Sequence, residues 1–280
     1  MSTPDAPVLG LIAGEGSLPL AAARGGRRAG HRLVAVAFHG RTDPALADEV
    51  DELHWIHPGE VLEGLAAFRR SGVSLAVMAG KVGKADLVQR PESLHLDATA
   101  RHLLAELADR GDAAVLARVA DFLSAAGIEL LPQWALAPEL RVGPGPLGKG
   151  SPTPSQQADI AYALPIAKAV AALDVGQTVV VKDRAVLAIE AIEGTDAALR
   201  RAGALASGGV AVKVSKPGQD PRFDVPAVGP RTLAVAAEAA IAVFAFEAAA
   251  TLVLEREVLV READAAGIAV LGVAMDSEEG

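Results

Sequence analysis

The sequence contains no cysteine and very few aromatic residues, and both absences restrict what the protein can be. Without cysteine there is no disulfide, no thiolate nucleophile and no sulfur-ligated metal, and the chain is compatible with the cytoplasm. Aromatic residues make up 3% of the 280 residues, whereas hydrophobic residues make up 51%. The core must therefore consist mainly of alanine, valine and leucine, which is typical of helices packed closely on β-branched strands and predicts the α/β class.

Basic residues are outnumbered, with 26 Lys and Arg against 35 Asp and Glu, which gives a net charge of −9. The surface as a whole repels nucleic acid and anionic lipid headgroups, so we expect no nucleic-acid partner. Any phosphate-binding site must then be a local basic pocket. The N-terminal residues Met-Ser-Thr-Pro-Asp lack a signal-peptide pattern.

The length and the order of the apolar segments predict two α/β domains. In the first half, strand-like runs at 8–13, 32–37, 53–56 and 75–79 alternate with helical patterns, which indicates a Rossmann-like, doubly wound parallel sheet. Prolines and glycines are concentrated between residues 132 and 154. We therefore predict an N-terminal domain at 1–131, a semi-rigid linker at 132–154, and a catalytic α/β domain with a mixed sheet at 155–280.

The second half contains a predicted hairpin and a long apolar segment. Strands at 178–182 and 185–192 flank Asp183-Arg184, although this pair lacks the glycine that a tight turn prefers. Residues 232–250 predict one long helix, and the apolar run around it is long enough to span a bilayer. Glu238 and Glu247 would be costly inside a membrane, so we predict a buried helix beside an apolar cavity and no transmembrane span. Peripheral membrane contact is the remaining alternative.

A glycine-containing turn follows the first predicted strand, in Gly14-Glu-Gly16-Ser17. Such glycines let backbone amides approach a phosphate at a helix N-terminus, and the alternative is a simple tight turn. The turn resembles the start of a dinucleotide fingerprint, but Pro19 replaces its third glycine. A nicotinamide cofactor is therefore disfavoured, although a nucleotide-dependent oxidoreductase remains an alternative.

Gly80 and Lys81 follow the fourth predicted strand in the same way. The carboxyl ends of parallel strands meet at one edge of the sheet, so Lys81 is expected to face the same crevice as Gly14 and Gly16. The alternative interpretation of Lys81 is an ordinary surface lysine.

Residues 212–232 form a loop with four prolines, which fix φ and make the segment stiff and extended. Its cations suit phosphate oxygens, while its carboxylates suit a divalent metal or a proton. The alternative is a solvated surface loop. The charged residues of the loop are Lys213, Lys216, Asp220, Arg222, Asp224 and Arg231.

A second acidic group, Glu190, Glu193 and Asp196, ends a strand and opens a helix. Magnesium usually takes only one or two carboxylates, and Thr195 or Asp196 could instead cap the helix. The six histidines lack metal-ligand spacing and are interpreted as mostly structural. Ser215 and Lys216 are rejected as a catalytic pair because neighbouring residues on an extended segment point to opposite faces.

Five segments of the chain resemble one family, the I-type UDP-2,3-diacylglucosamine pyrophosphatases of lipid A biosynthesis. The resemblance runs along nearly the whole chain. The segments are Gly-Leu-Ile-Ala-Gly14-Glu-Gly16-Ser-Leu-Pro, Met-Ala-Gly80-Lys81-Val, Asp174-Val-Gly-Gln-Thr-Val-Val-Val-Lys182, Ala-Ile-Glu190-Ala-Ile-Glu193-Gly-Thr195-Asp196 and Val-Ser-Lys216-Pro-Gly-Gln-Asp220-Pro-Arg222-Phe-Asp224-Val-Pro.

This resemblance implies a magnesium-dependent hydrolase that cleaves UDP-2,3-diacylglucosamine into UMP and 2,3-diacylglucosamine 1-phosphate. It also implies a substrate held between two domains and a homodimer, in the cytoplasm or at the periphery of the inner membrane. The signatures of metallophosphoesterases, Asp-x-His and Asn-His-Asp, are missing from the sequence. A non-catalytic nucleotide-sugar-binding regulator is the other alternative.

The family's essential aspartate falls on Asp224, where it would ligate magnesium or orient water. We expect Asp224, Lys216 and Arg222 to be catalytic. The expected metal ligands are Asp224, Asp220 and Glu193. The expected substrate-binding residues are Gly14, Gly16, Ser17, Gly80, Lys81, Thr195 and Lys213.

Overall fold

A computed structural model describes residues 8–81, 95–105 and 112–275. The chain divides into two compact units. The first unit contains the chain up to Pro138 together with Asp220–Asp224. The second unit contains Glu139–Gln219 and the chain from Val225 onward.

The first unit is built on a five-stranded parallel sheet with the strand order β3-β2-β1-β4-β5. The order reverses beside β1, so the predicted doubly wound sheet is confirmed. The strands are β1 Val8–Ala13, β2 Arg32–Phe38, β3 Glu52–Ile56, β4 Leu75–Ala79 and β5 Glu129–Leu131. The helices are α1 Leu18–Arg28, α2 Val61–Arg70, α3 Ala98–Ala105 and α4 Asp112–Ala125.

The core of the first unit lies where α2 and α4 cover one face of this sheet. Gly10 permits this packing, because a Cβ atom there would lie 2.8 Å from the Val73 side chain and 3.1 Å from the Phe68 ring. Phe223, from the separate segment Asp220–Asp224, belongs to the same core and is 4% exposed. The side chain of Phe223 therefore anchors that segment in the first unit.

The second unit is built on a six-stranded mixed sheet with the order β6-β13-β11-β9-β7-β8. Three central strands, β9, β11 and β13, are parallel, while β6, β7 and β8 pair antiparallel with their neighbours. The strands are β6 Gly145–Pro146, β7 Thr178–Lys182, β8 Ala185–Ile189, β9 Gly209–Lys213, β11 Ile241–Glu247 and β13 Ala269–Val273. The expected mixed sheet is confirmed.

Helices cover both faces of the second sheet. The first, α5, packs on one face, and the other three contribute to the core on the opposite face. A short parallel pair, β10 Ala227–Val228 and β12 Leu252–Val253, lies outside the sheet. The helices are α5 Pro154–Ala172, α6 Thr195–Leu205, α7 Pro230–Glu238 and α8 Arg256–Ala266.

The predicted hairpin is confirmed as the antiparallel pair β7 and β8, with its second strand ending at Ile189. Its turn forms without glycine, since Asp183 and Arg184 adopt φ values of 51° and 59°. The buried carboxylate of Asp159 accepts hydrogen bonds from both turn amides, at 3.0 and 2.7 Å. These bonds offset the cost of two left-handed non-glycine residues.

The prediction of one helix over 232–250 is wrong. Helix α7 ends at Glu238, Ala240 turns the chain with φ 51°, and β11 then runs between β9 and β13. The β-branched and aromatic residues of Ile241-Ala-Val-Phe-Ala-Phe fill a central strand, so packing in the sheet overrides the helical tendency of the alanines. The expected helical wall for an apolar cavity is therefore absent from the described chain. No helix among the described residues is both long and apolar enough to cross a membrane.

We predict that Ala240→Gly stabilises the protein, because the exposed Ala240 occupies a left-handed conformation that glycine adopts without strain. The expected gain in unfolding free energy is about 1 kcal/mol. Ala234→Gly, at an exposed position inside α7, is the matched control and should lose about 1 kcal/mol. Urea denaturation measures both changes, and equal loss from the two substitutions would contradict the assignment of Ala240 to a strained turn.

Candidate functional site

The loops that follow β1 and β4 are joined by backbone hydrogen bonds at the carboxyl edge of the first sheet. The Gly14 amide donates to the Ala79 carbonyl at 2.7 Å. The backbones of Glu15 and Lys81 exchange two hydrogen bonds, at 2.8 and 3.0 Å. Residues from both candidate turns therefore lie together at the edge where parallel sheets bind ligands.

Two of the glycines in these loops are required by the close contact between the loops. A Cβ atom at Gly14 would lie 2.6 Å from the carbonyl oxygen of Lys81. Gly80 has φ 86°, and a Cβ atom there would lie 2.6 Å from the carbonyl oxygen of Glu15. Gly16, with φ 101°, differs because a Cβ atom there would meet no described atom within 4 Å. Gly16 and the adjacent Ser17, just before α1, thus form the accessible part of the turn.

Four aromatic rings lie in contact near the carboxyl ends of β2 and β3, and three of them belong to histidines that were interpreted as mostly structural. His39 lies 5.7 Å from Trp55 and 5.1 Å from His57, measured between ring centroids. His57 stacks on His95 at 3.8 Å. A signal was available in the sequence, since His39 directly follows β2 and His57 directly follows β3.

In the second unit, Lys213 is buried in a network of polar side chains rather than exposed in the loop. It is the last residue of β9 and is 6% exposed. Its ammonium group donates to the Thr195 hydroxyl at 2.8 Å and to Thr178 at 3.4 Å, and lies 3.9 Å from a Glu190 carboxylate oxygen. Thr195 in turn donates to Glu190 at 2.9 Å.

The position of Thr195 corrects its predicted role as a helix cap. Gly194 occupies the N-cap of α6, and Thr195 and Asp196 are the first two helical residues. The Thr195 hydroxyl is therefore used to link Glu190 and Lys213, which brings together three residues that the sequence analysis singled out.

The ionisation of Glu190 follows from this network. Burial alone would raise the pKa of Glu190, but the charge of Lys213 and the hydrogen bonds from Thr178, Thr195 and the Gln177 amide together lower that pKa from its ordinary value. Glu190 is consequently a stable counter-charge for Lys213 at neutral pH rather than a proton donor.

A second buried network at the ends of β9 and β11 was not predicted. One carboxylate oxygen of Glu247 accepts from the Ser215 amide at 2.7 Å, from the Ser215 hydroxyl at 2.8 Å and from Lys168 at 2.7 Å. Lys168 also donates to the Ser215 carbonyl at 3.0 Å. Glu247 follows an apolar run in the sequence, and this pattern could have predicted a polar group at a strand end. Ser215 thus pairs with Lys168 and Glu247, in keeping with the rejection of a Ser215-Lys216 pair.

The charged loop is divided between the two units. Lys213 and Lys216 belong to the second unit, whereas Asp220, Arg222 and Asp224 belong to the first. Lys216 pairs with Asp174 at 3.1 Å, and the two side chains are 30% and 54% exposed. Asp224 is exposed and has φ 57°.

Arg222 is held by Asp220 through several hydrogen bonds, the shortest at 2.7 Å. The hydrogen bond from Arg222 lowers the pKa of Asp220 and raises the pKa of Arg222. Arg222 also lines a surface depression with Leu75 and Glu129, which begin β4 and β5. Gly80 and Lys81 follow the opposite end of β4, so the structure does not bring Arg222 together with the glycine turns.

The predicted metal ligands are not gathered into a cluster by the described residues. Within 8–81, 95–105 and 112–275, no three His, Cys, Asp or Glu residues lie together in a way that could hold a metal ion. Asp220 faces Arg222, and Glu193 pairs with Arg201 at 2.5 Å. Magnesium binding therefore stays a prediction, as do the roles of Asp224, Asp220 and Glu193 as its ligands.

Comparisons with known proteins place both units in one family. The model of the LpxI N-terminal domain matches residues 8–140, and that of the LpxI C-terminal domain matches residues 143–271. A curated protein of Caulobacter vibrioides, UDP-2,3-diacylglucosamine pyrophosphatase LpxI, is 37% identical over 277 residues, which cover 95% of this chain and 97% of that protein. The predicted resemblance is confirmed, and with it a pyrophosphatase family of the hydrolase class.

A solved structure, the biotin carboxylase subunit of pyruvate carboxylase, is 13% identical to the chain with a TM-score of 0.27. The match covers 61% of this chain and 34% of that one. A similarity this low carries no argument about fold or function.

We predict that Glu190→Gln lowers stability at pH 7 by roughly 2 kcal/mol, the cost of leaving a buried charge without its partner. The pKa of Glu190 is lowered in the folded state, so its contribution is present above pH 4.5 and is lost as pH falls further. The difference between wild type and variant, measured by urea denaturation, should therefore shrink from pH 7 to pH 3. A difference that is constant over this range would show that Glu190 is not a charged partner of Lys213.

Proposed function

Because the chain belongs to the LpxI family, we propose that it hydrolyses the diphosphate of UDP-2,3-diacylglucosamine in lipid A biosynthesis. The proposed products are UMP and 2,3-diacylglucosamine 1-phosphate. The observation that carries this proposal is the 37% identity to the Caulobacter vibrioides pyrophosphatase, which extends over nearly all of both chains.

The proposed reaction is attack of water on the phosphorus next to the sugar, with UMP as the leaving group. Asp224 is exposed and is held in a left-handed conformation beside the buried Phe223. That anchor fixes the backbone next to the carboxylate, so Asp224 is positioned to orient the water or to hold a metal ion. The ion pair of Asp220 and Arg222 restrains the same segment, which makes Arg222 a positioning residue in this proposal.

Lys216 is the cation that we assign to the substrate phosphates. Its pair with Asp174 is exposed, and such pairs contribute only about 0–1 kcal/mol, so Lys216 can exchange this partner for a phosphate at little cost. Lys213 is buried and hydrogen-bonded to Thr195, and its proposed role is to hold that hydroxyl and the start of α6 in place for the substrate.

Magnesium is the proposed cofactor, and the donor chemistry fits it. Magnesium commonly binds through one or two carboxylates together with substrate phosphates and water. Asp224 would hold the ion, in keeping with the family resemblance. Asp220 and Glu193, the other two expected ligands, each pair with an arginine. When bound, the ion would neutralise charge on the diphosphate.

The structure gives less support to the alternative of a nucleotide-dependent oxidoreductase. Gly14 and Gly80 lie in the close contact between their two loops, and Pro19 is buried within α1. Titration with NAD or NADP, followed by tryptophan fluorescence, tests this alternative. A saturable change in fluorescence would support it. Magnesium-dependent hydrolysis by the purified protein would exclude a regulator without turnover.

We also propose that the protein acts as a homodimer in the cytoplasm, at the periphery of the inner membrane. The family resemblance supports this proposal. Light scattering of the purified protein measures the mass in solution, and a mass near the 28.5 kDa of one chain would rule out the dimer.

We predict that Asp224→Asn lowers kcat for UMP release by more than about 10²-fold, because the neutral amide is a poor metal ligand and a poor proton acceptor. Asparagine is preferred to alanine here, since it tolerates the left-handed backbone of Asp224 and keeps the side-chain volume. Substrate affinity, measured by calorimetry, should change little.

Asp183→Asn is the matched control for this experiment. It makes the same chemical change at another exposed aspartate with positive φ, in the turn between β7 and β8. Its kcat should stay within about twofold of wild type. An exposed substitution of this kind rarely changes the free energy of unfolding by more than about 0.5 kcal/mol, so the control should be folded like wild type. If Asp224→Asn retains activity close to that of the control, Asp224 has no central role in hydrolysis.

We predict that removal of divalent metal with EDTA abolishes UMP release and that added magnesium restores it, since charge on the diphosphate must be neutralised for hydrolysis. The measurement is UMP formation by the dialysed protein at increasing magnesium concentrations. Undiminished turnover after chelation would refute magnesium dependence without affecting the assignment of the substrate.

A further inference from the structure

The first unit contains a partly enclosed apolar cavity of about 150 Å³ between its sheet and helices α2, α3 and α4. Its floor is formed by strand side chains, among them Ile12, Phe38 and Met78, and its roof includes Ala100 and Leu116. Among the described lining residues, Arg118 alone carries a charge. Gly64 also lines the cavity, and a Cβ atom there would lie 3.3 Å from the side chain of Ile56.

The cavity lies directly beneath the edge that carries the glycine turns. Ile12 precedes Gly14 by two residues, and Met78 precedes Gly80 by two. Two residues of a strand span roughly 7 Å, so the apolar lining begins within about one side-chain length of the two turns, one of which carries Lys81. A polar, cation-bearing edge above an apolar cavity suits an amphipathic molecule with an anionic head.

We propose that this cavity binds the end of one fatty-acyl chain of the substrate. An apolar cavity of about 150 Å³ accommodates a benzene-sized group, which corresponds to roughly six carbon atoms. The cavity therefore takes the terminal segment of a single chain and not both chains. This inference rests on the proposed function for the identity of the lipid, and it replaces the helical wall that the sequence had predicted at 232–250.

The first test is the binding of dodecanoate by Ala100→Phe, which fills the cavity from α3, where Ala100 is buried. Ala98→Phe makes the same change at an exposed position of the same helix and is the matched control. Each buried methylene contributes about a fourfold factor in affinity, so expulsion of two or three should weaken binding about 15- to 60-fold. Calorimetry should show wild-type affinity for the control. Absence of saturable binding by wild type, or equal affinities of the two variants, would overturn the proposal.

The second test separates this proposal from the proposed function. With UDP-2,3-diacylglucosamine carrying 12-carbon chains, Ala100→Phe should raise KM and leave kcat near wild type, whereas substrate with 4-carbon chains should show no change. If wild type hydrolyses neither substrate yet binds dodecanoate in the way described, the proposed function fails and the acyl site stands. If wild type hydrolyses both and Ala100→Phe has the same KM values as wild type, the acyl site fails alone.

A variant that enlarges the cavity distinguishes a change at the acyl site from misfolding. Leu116→Ala removes three carbons from the roof of the cavity and should shift the preference from dodecanoate toward tetradecanoate by several-fold. A damaged protein would lose affinity for both acids rather than gain it for the longer one. An unchanged ratio of the two affinities would contradict the assignment of the acyl end to this cavity.

Discussion

Strands that are buried on both faces can carry polar side chains only near their ends, and this constraint arranges the chemistry of both units. In the first unit, the interior positions of β1, β2 and β4 are apolar, and the glycine turns and Lys81 follow their carboxyl ends. In the second unit, Lys213 and Glu247 are the last residues of two parallel strands. The glycine turns with Lys81 and the two buried networks therefore lie at the carboxyl ends of strands.

Burial of charge at these edges requires that every charge has a partner. Lys213 is stabilised by Thr195 and Glu190, and Glu247 by Ser215 and Lys168. Removal of one partner would leave the other charge in a poorly solvated environment. These networks therefore hold strand ends and the start of the charged loop in fixed positions, which a hydrolase needs in order to orient a diphosphate.

The glycines near β1 and β4 have two different structural roles. Gly14 and Gly80 allow two loops to approach until a side chain would clash with a backbone carbonyl. Gly16 instead provides a positive φ beside open space. The same edge lies above the apolar cavity, so close backbone packing and the entrance of the proposed acyl site involve one short region of sequence.

The sequence by itself determined the α/β class, the doubly wound sheet, the hairpin and the family, because hydrophobic periodicity, turn residues and long motifs are local properties of the chain. It also singled out Glu190 and Thr195 near a strand end, although not the network that they form with Lys213. Tertiary structure alone decided that 241–247 is a central strand, because its partners β9 and β13 lie far away in sequence. It likewise decided that Phe223 anchors Asp220–Asp224 in the first unit and that Lys213 is buried. Such contacts depend on which distant residues meet, and local pattern carries no information about that.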